Sequence, residues 1–225
     1  ALSSAASDVY KRQGGRNPPR MSPLRPAGAA AQEPRAAIAV FASGSGSNFE
    51  AIAAACADGR LAARVALLVC DKPGAPVCGR AERLGIETFV FDPHAYPSKA
   101  AFEGEIVRRL DAARVRLVCL AGYMRLVGET LLGAYGGRIV NIHPSLLPAF
   151  KGAHAIRDAF DYGVRVYGVT IHRVDASLDG GPIVAQRAFD YAGRDREELE
   201  RRVHAVEHVL YVETIGQLLK EQDKG

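Results

Sequence analysis

From Arg35 onward, short apolar runs alternate with stretches whose apolar residues recur every three or four positions. The runs at 36–41, 65–70, 88–91, 115–121 and 138–142 are dominated by Ala, Val, Ile, Leu, Cys and Phe. A strand that is apolar on both faces must be covered on both faces, so these runs predict a parallel sheet between helical layers. The intervening segments 48–58, 76–84, 100–113 and 130–135 carry helical spacing. Such alternation implies right-handed crossovers and the α/β class, an open, doubly wound sheet. After a further helix at 154–162 the rhythm changes. Strands at 166–174 and 182–189 are separated only by residues 175–181. That linker is too short for a helical crossover, so the two are expected to pair antiparallel near the C-terminal end of the sheet. An amphipathic helix at 196–220 closes the chain. Ligands of such sheets bind beyond the carboxyl ends of the strands, which directs attention to the loops after Phe41, Ala121, Ile142 and Val174.

Residues 1–34 break this pattern. They are rich in Ala, Ser, Gly, Pro and Arg without apolar periodicity, and are expected to be a disordered tail or an artefact lying ahead of a single domain at 35–225. Met21 offers an alternative start. A transit peptide would be Arg- and Ser-rich, but Asp8 and the prolines argue against one. The tail also holds most of the charge: Lys11, Arg12, Arg16, Arg20 and Arg25 against Asp8 and Glu33 leave +3 of the formal +4 there. The folded body is left with +1, which excludes an electrostatic nucleic-acid binder. Cys56, Cys70, Cys78 and Cys119 lie in or beside apolar stretches, with no C-x-x-C pair, and are expected as reduced, buried thiols. That suits a cytoplasmic location. No apolar run approaches the ~20 residues that cross a bilayer, so no membrane partner is expected.

Three stretches carry candidate chemistry. Ser43-Gly-Ser-Gly-Ser-Asn48 follows a strand and opens a helix. Glycines let backbone N–H groups approach an anion, and the helix N-terminus adds partial positive charge. No Gly-Lys-Ser/Thr follows, and Phe49 stands where a dinucleotide fingerprint needs its third glycine, so the loop suits one phosphate monoester. In Arg138-Ile-Val-Asn-Ile-His-Pro144, Asn141 and His143 are two apart and share one face at a strand end. An amide beside an imidazole suits a developing oxyanion. Asp179, followed by Gly180 and Gly181, lies in the 175–181 loop, where a carboxylate near His143 would favour the charged imidazole. His172 is read either as a support for this group or as a buried core histidine.

Together, SGSGSN (43–48), AGYMR (121–125), NIHPSLLP (141–148), GVTIH (168–172) and LDGGP (178–182) resemble the phosphoribosylglycinamide formyltransferases, folate-dependent formyltransferases, from about Ala36 to the last helix. The resemblance implies attack of the glycinamide amine on the formyl carbon of 10-formyltetrahydrofolate, a co-substrate, with no metal and no covalent enzyme intermediate. It implies Asn141, His143 and Asp179 as catalytic. Gly46, Ser47, Asn48, His204 and Glu207 would contact phosphoribosylglycinamide, and Lys99, Met124, Arg125, Leu126, Val127 and Asn141 the folate. The partners implied are small-molecule substrates, and the state a monomer or homodimer. His204 stands where the family can carry Gln, and Ala149-Phe-Lys-Gly152 departs from commoner versions of that stretch.

The nearest rival is formyltetrahydrofolate deformylase, which shares NIHPSLLP but usually has an Asp-Glu-Gly loop and an N-terminal regulatory domain that residues 1–34 are too short to form. Methionyl-tRNA formyltransferase needs a further RNA-binding domain. A non-catalytic phosphometabolite-binding module would explain the glycine loop but not Asn141, His143 and Asp179.

Overall fold

The computed structural model describes residues 35–224; the expectations for residues 1–34 lie outside them. Among these residues seven strands form one sheet in the order β3-β2-β1-β4-β5-β6-β7. They are β1 (Ala36–Phe41), β2 (Ala63–Cys70), β3 (Thr88–Val90), β4 (Leu117–Leu120), β5 (Ile139–His143), β6 (Val166–Arg173) and β7 (Ile183–Asp190). Strands β1 to β5 pair in parallel. β6 is antiparallel to both β5 and β7, so the antiparallel region takes in one strand more than the hairpin read from the sequence.

Among the described residues six helices cover the sheet: α1 (Ser47–Ala57), α2 (Pro76–Arg83), α3 (Lys99–Ala112), α4 (Glu129–Tyr135), α5 (Ala155–Tyr162) and α6 (Arg196–Gln222). A short 3-10 turn at Pro93–Ala95 has no counterpart in the apolar pattern, since Pro and the Asp92 side chain, which accepts from the His94 N–H, make it. Strand alternation builds two cores. Ile38, Val40, Leu117, Cys119, Val140 and Ile142 face α1, α2, α5 and α6. Ala37, Ala39, Phe41, Val118, Leu120 and Ile139 face α3 and α4. Burying each larger side chain of these is worth about 1.5–3 kcal/mol, which fixes the register of every central strand.

Helix ends follow local chemistry. The Ser98 hydroxyl accepts from Ala101 N–H at 3.1 Å to open α3, and Asp195 caps α6 through the Glu197 and Glu198 N–H groups. α6 buries Leu199, Val203, Glu207, Leu210, Tyr211, Thr214, Ile215 and Leu218 along one stripe, and Glu207 is a carboxylate at a position where the pattern expects an aliphatic residue. The Tyr211 O–H is shared between the carbonyls of Leu120 (2.9 Å) and Val140 (3.1 Å), tying the helix to the end of β4 and the start of β5. The strand order reverses between β1 and β4, so the loops that follow them part and leave a crevice.

Candidate active site

A cavity of about 450 Å³ fills that crevice, within the range of small-molecule sites. One wall is the glycine loop. Gly46 is the N-cap of α1 at φ +77°, a left-handed conformation, and a Cβ there would come within 2.4 Å of Val77. Only glycine fits. No side chain caps α1, so its first-turn N–H groups are free for a ligand. Two loop carbonyls that would repel an anion are instead occupied by α2: Gly44 accepts from Val77 N–H at 3.2 Å, and Ser45 from Arg80 Nε at 2.8 Å.

Beside this loop, buried Glu207 accepts from Asn48 Nδ2 (3.1 Å) and from His204 Nδ1 (2.8 Å). The hydrogen bond to Glu207 raises His204 above the ordinary imidazole value, against the effect of burial. Asn48 Oδ1 is buried with no protein partner. Gly46, Ser47, Asn48, His204 and Glu207 all line the cavity, as their assignment to one ligand requires.

The opposite wall gathers four polar side chains. Antiparallel pairing sets Asn141 directly across from His172, and Asn141 Nδ2 approaches His172 Nε2 at 3.1 Å. His172 Nδ1 lies 3.0 Å from the Arg173 carbonyl, which can only accept, so Nδ1 carries the proton and Nε2 is the acceptor for the amide. Burial lowers the His172 pKa, the Arg173 carbonyl and Asp179 opposing it. A neutral ring is the form this network uses. His143 points Nε2 at the Phe150 carbonyl, 2.8 Å away, and therefore donates there. Its Nδ1 lies 3.6 Å from Asp179 Oδ2, beyond hydrogen-bond range, so that edge remains uncommitted. Asp179 sits between the two imidazoles, with Oδ1 3.7 Å from His172 Nε2 and Oδ2 accepting from Gly152 N–H at 2.8 Å. Its backbone is left-handed (φ +47°), and the chain passes Gly181 so closely that a Cβ there would meet the Arg173 carbonyl at 2.0 Å.

Met124, Arg125, Leu126 and Val127 form the third wall, with Leu178 from the 175–181 loop. Met124, Leu126 and Leu178 are exposed apolar side chains around a polar centre, an arrangement that suits a flat, partly apolar ligand. Lys99 does not line the cavity. It begins α3, with its Cε beside Gly128, the residue that follows the 124–127 wall. The contribution of the Phe150 carbonyl and the Gly152 N–H left no mark in the sequence, since any residue supplies them. His172 did leave one, an imidazole in a predicted strand, and pairing sets it opposite Asn141.

The geometry offers an anion cradle, an amide and imidazole pair with a carboxylate, and an apolar rim in one crevice. The family model described as formyl transferase matches residues 36–215. The phosphoribosylglycinamide formyltransferase of Bacillus subtilis (strain 168) is 53% identical over 189 residues, covering 84% of this chain and 97% of that protein. The enzyme of that name from Escherichia coli (strain K12) is 35% identical over 175 residues, 77% of this chain and 82% of its own. The crystal structure of glycinamide ribonucleotide transformylase 1 from Geobacillus kaustophilus superposes with a TM-score of 0.79 at 56% identity, covering 82% of this chain and 99% of that one.

Proposed function

The chain belongs to the formyl transferase family, and from that premise we propose that it transfers the formyl group of 10-formyltetrahydrofolate to the amine of 5-phosphoribosylglycinamide, in purine biosynthesis. The observation that carries the reading is the meeting of Asn141, His143 and Asp179 with the α1 anion cradle in one cavity.

The ribonucleotide phosphate takes the first-turn N–H groups of α1, with Ser47 and Asn48 beside it. His204 and Glu207 complete that end. The pterin and formyl group lie against the 124–127 wall and the 175–179 loop. The amine attacks the formyl carbon, and the carbonyl π pair moves onto oxygen. Asn141 spends one amide proton on His172 and keeps the other for that oxyanion. His143 offers its Nδ1 edge, which faces Asp179 Oδ2 at 3.6 Å. Collapse expels the folate nitrogen, which takes up the proton lost by the amine, relayed by Asp179 through water. The products are the N-formyl ribonucleotide and tetrahydrofolate. Preorganised donors aimed at the developing charge supply the largest part of such catalysis.

A ribonucleotide-dependence assay tests the proposal. Purified chain is mixed with 10-formyl-5,8-dideazafolate, and deformylation is followed by absorbance with and without the ribonucleotide. Strict dependence is expected. Equal rates in its absence would make the protein a hydrolase. No turnover, together with ligand-induced thermal stabilisation by phosphoribosyl compounds alone, would make it a binding module.

A further inference from the structure

Asp71 follows β2, outside the groups the proposed reaction uses, and its side chain is only 8% exposed. Its two oxygens are separately engaged. Oδ1 accepts from Ser43 Oγ at 2.5 Å, and Oδ2 from Arg125 Nε at 2.7 Å. Ser43 in turn accepts from the Met124 N–H at 3.1 Å, and its own N–H donates to the Gly122 carbonyl at 3.0 Å. One carboxylate thus gathers the loops following three adjacent strands: the first residues of the glycine loop, the end of β2, and the 122–127 segment.

That segment has no helix or strand of its own. Its shape rests on these bonds and on Glu103 at its far end, which accepts from Gly128 N–H. The direction of the chain is also fixed. Arg and the amide can only donate, so Met124 N–H must point to Ser43, and Ser43 O–H to Asp71. Aligned bonds of this kind strengthen one another, and those ending on an ion are the strong members. Tyr123, in the same segment, feels the carboxylate too: burial first, then Asp71, pushes its hydroxyl pKa up.

We infer that Asp71 is a positioning residue that holds the 122–127 wall against the glycine loop, and so sets affinity for the folate rather than for the ribonucleotide. The inference rests on the formyl-transfer reading for the identity of the ligand. Asp71 reaches the folate wall through a side chain, Arg125, and a backbone N–H, Met124. On the phosphate side its hydrogen bond goes to Ser43, ahead of the cradle residues Gly46 to Asn48.

The test compares wild type with Asp71→Asn and Ser43→Ala. The asparagine has one acceptor oxygen for two donors and no charge for the Arg125 guanidinium. In Asp71→Asn the folate KM is expected to rise about tenfold, the scale of one charge-assisted hydrogen bond at 1.4 kcal/mol per decade. The ribonucleotide KM and kcat should stay within about threefold, a split that general loosening of the fold would not give. Ser43→Ala, which leaves the Asp71–Arg125 pair intact, should raise the folate KM by a smaller factor. The double variant should fall short of the product of the two, because both cut one chain. Equal increases in both KM values, a fall in kcat alone, or an unchanged folate KM would overturn the inference. If Asp71→Asn does not fold, Ser43→Ala carries the decision by the same criterion. Calorimetric titration with 10-formyl-5,8-dideazafolate keeps the claim separate from the reaction: a chain that binds the folate without transferring the formyl group sinks the proposed activity, whereas equal folate affinity in wild type and variants sinks the role of Asp71.

Discussion

The left-handed backbone at Asp179 is one that asparagine enters as readily as aspartate, and an amide oxygen can still accept from Gly152 N–H. Asp179→Asn therefore removes charge and little else. We expect kcat to drop by about 10²–10³, the scale for losing a preorganised electrostatic group, with Tm within about 2 °C of wild type. His143→Ala should lose as much; steady-state kinetics beside thermal melts checks both, and retained turnover in either removes that residue from the mechanism. His172 makes a different prediction. His172→Leu leaves Asn141 without its acceptor and should lower kcat about tenfold or more, while His172→Gln, which can still accept, should retain most activity. The groups facing this ring are Asp179, His143 and Asp175. Because its folded pKa is depressed, the unfolded chain takes up the proton first as pH falls below about 6.5. Its contribution to stability is complete above that value and is lost as pH falls toward the folded pKa. Wild-type kcat should show an acid limb below pH 6.5, since an Nε2–H would oppose the Asn141 amide. A profile unchanged in His172→Gln would place that limb elsewhere.

Among the elements, α4 shows how one segment depends on another. Its N-cap is Gly128, which offers no side chain, and Glu103 of α3 supplies the acceptors for Gly128 N–H at 2.6 Å and Leu131 N–H at 3.3 Å. Glu103→Ala leaves buried donors unpaired, a cost of about 2 kcal/mol. A melting temperature about 4–8 °C lower should follow for a domain of this size. A shift below about 1 °C in calorimetry would mean that water replaces the carboxylate. Elements of this kind were well marked in the sequence, because double burial leaves apolar runs and the helices keep an apolar residue every three or four positions. Asn141 and His143 were equally legible from spacing two. What the sequence hid depends on distant backbone: the two-sided antiparallel pairing of β6, the Phe150 carbonyl that holds His143, and the Ser43–Asp71–Arg125 chain linking residues 28 and 54 positions apart. Lys99 was given to the folate from the resemblance; it is not among the residues lining the cavity, and its Cε stands beside Gly128, next to the lining residue Val127.

For the molecule as a whole, the switch point between β1 and β4 decides where the parts of the site come from. The anion cradle belongs to the segment holding β1 to β3, whereas Asn141, His143, His172 and Asp179 belong to the segment holding β4 to β7. Among the described residues no helix is long and apolar enough to cross a membrane. The link between the sets passes through Pro97 and Ser98, both exposed. A chain broken there should give fragments that are inert singly, since each would bare half of both cores. Expressed together, they should recover formyl transfer and co-elute on size exclusion; activity in either fragment alone would show that one half suffices. Such a pair would report its own meeting. Fused to two other proteins, the halves would turn the proximity of those proteins into a colour change, because one partner grips the phosphate and the other polarises the bond to be attacked.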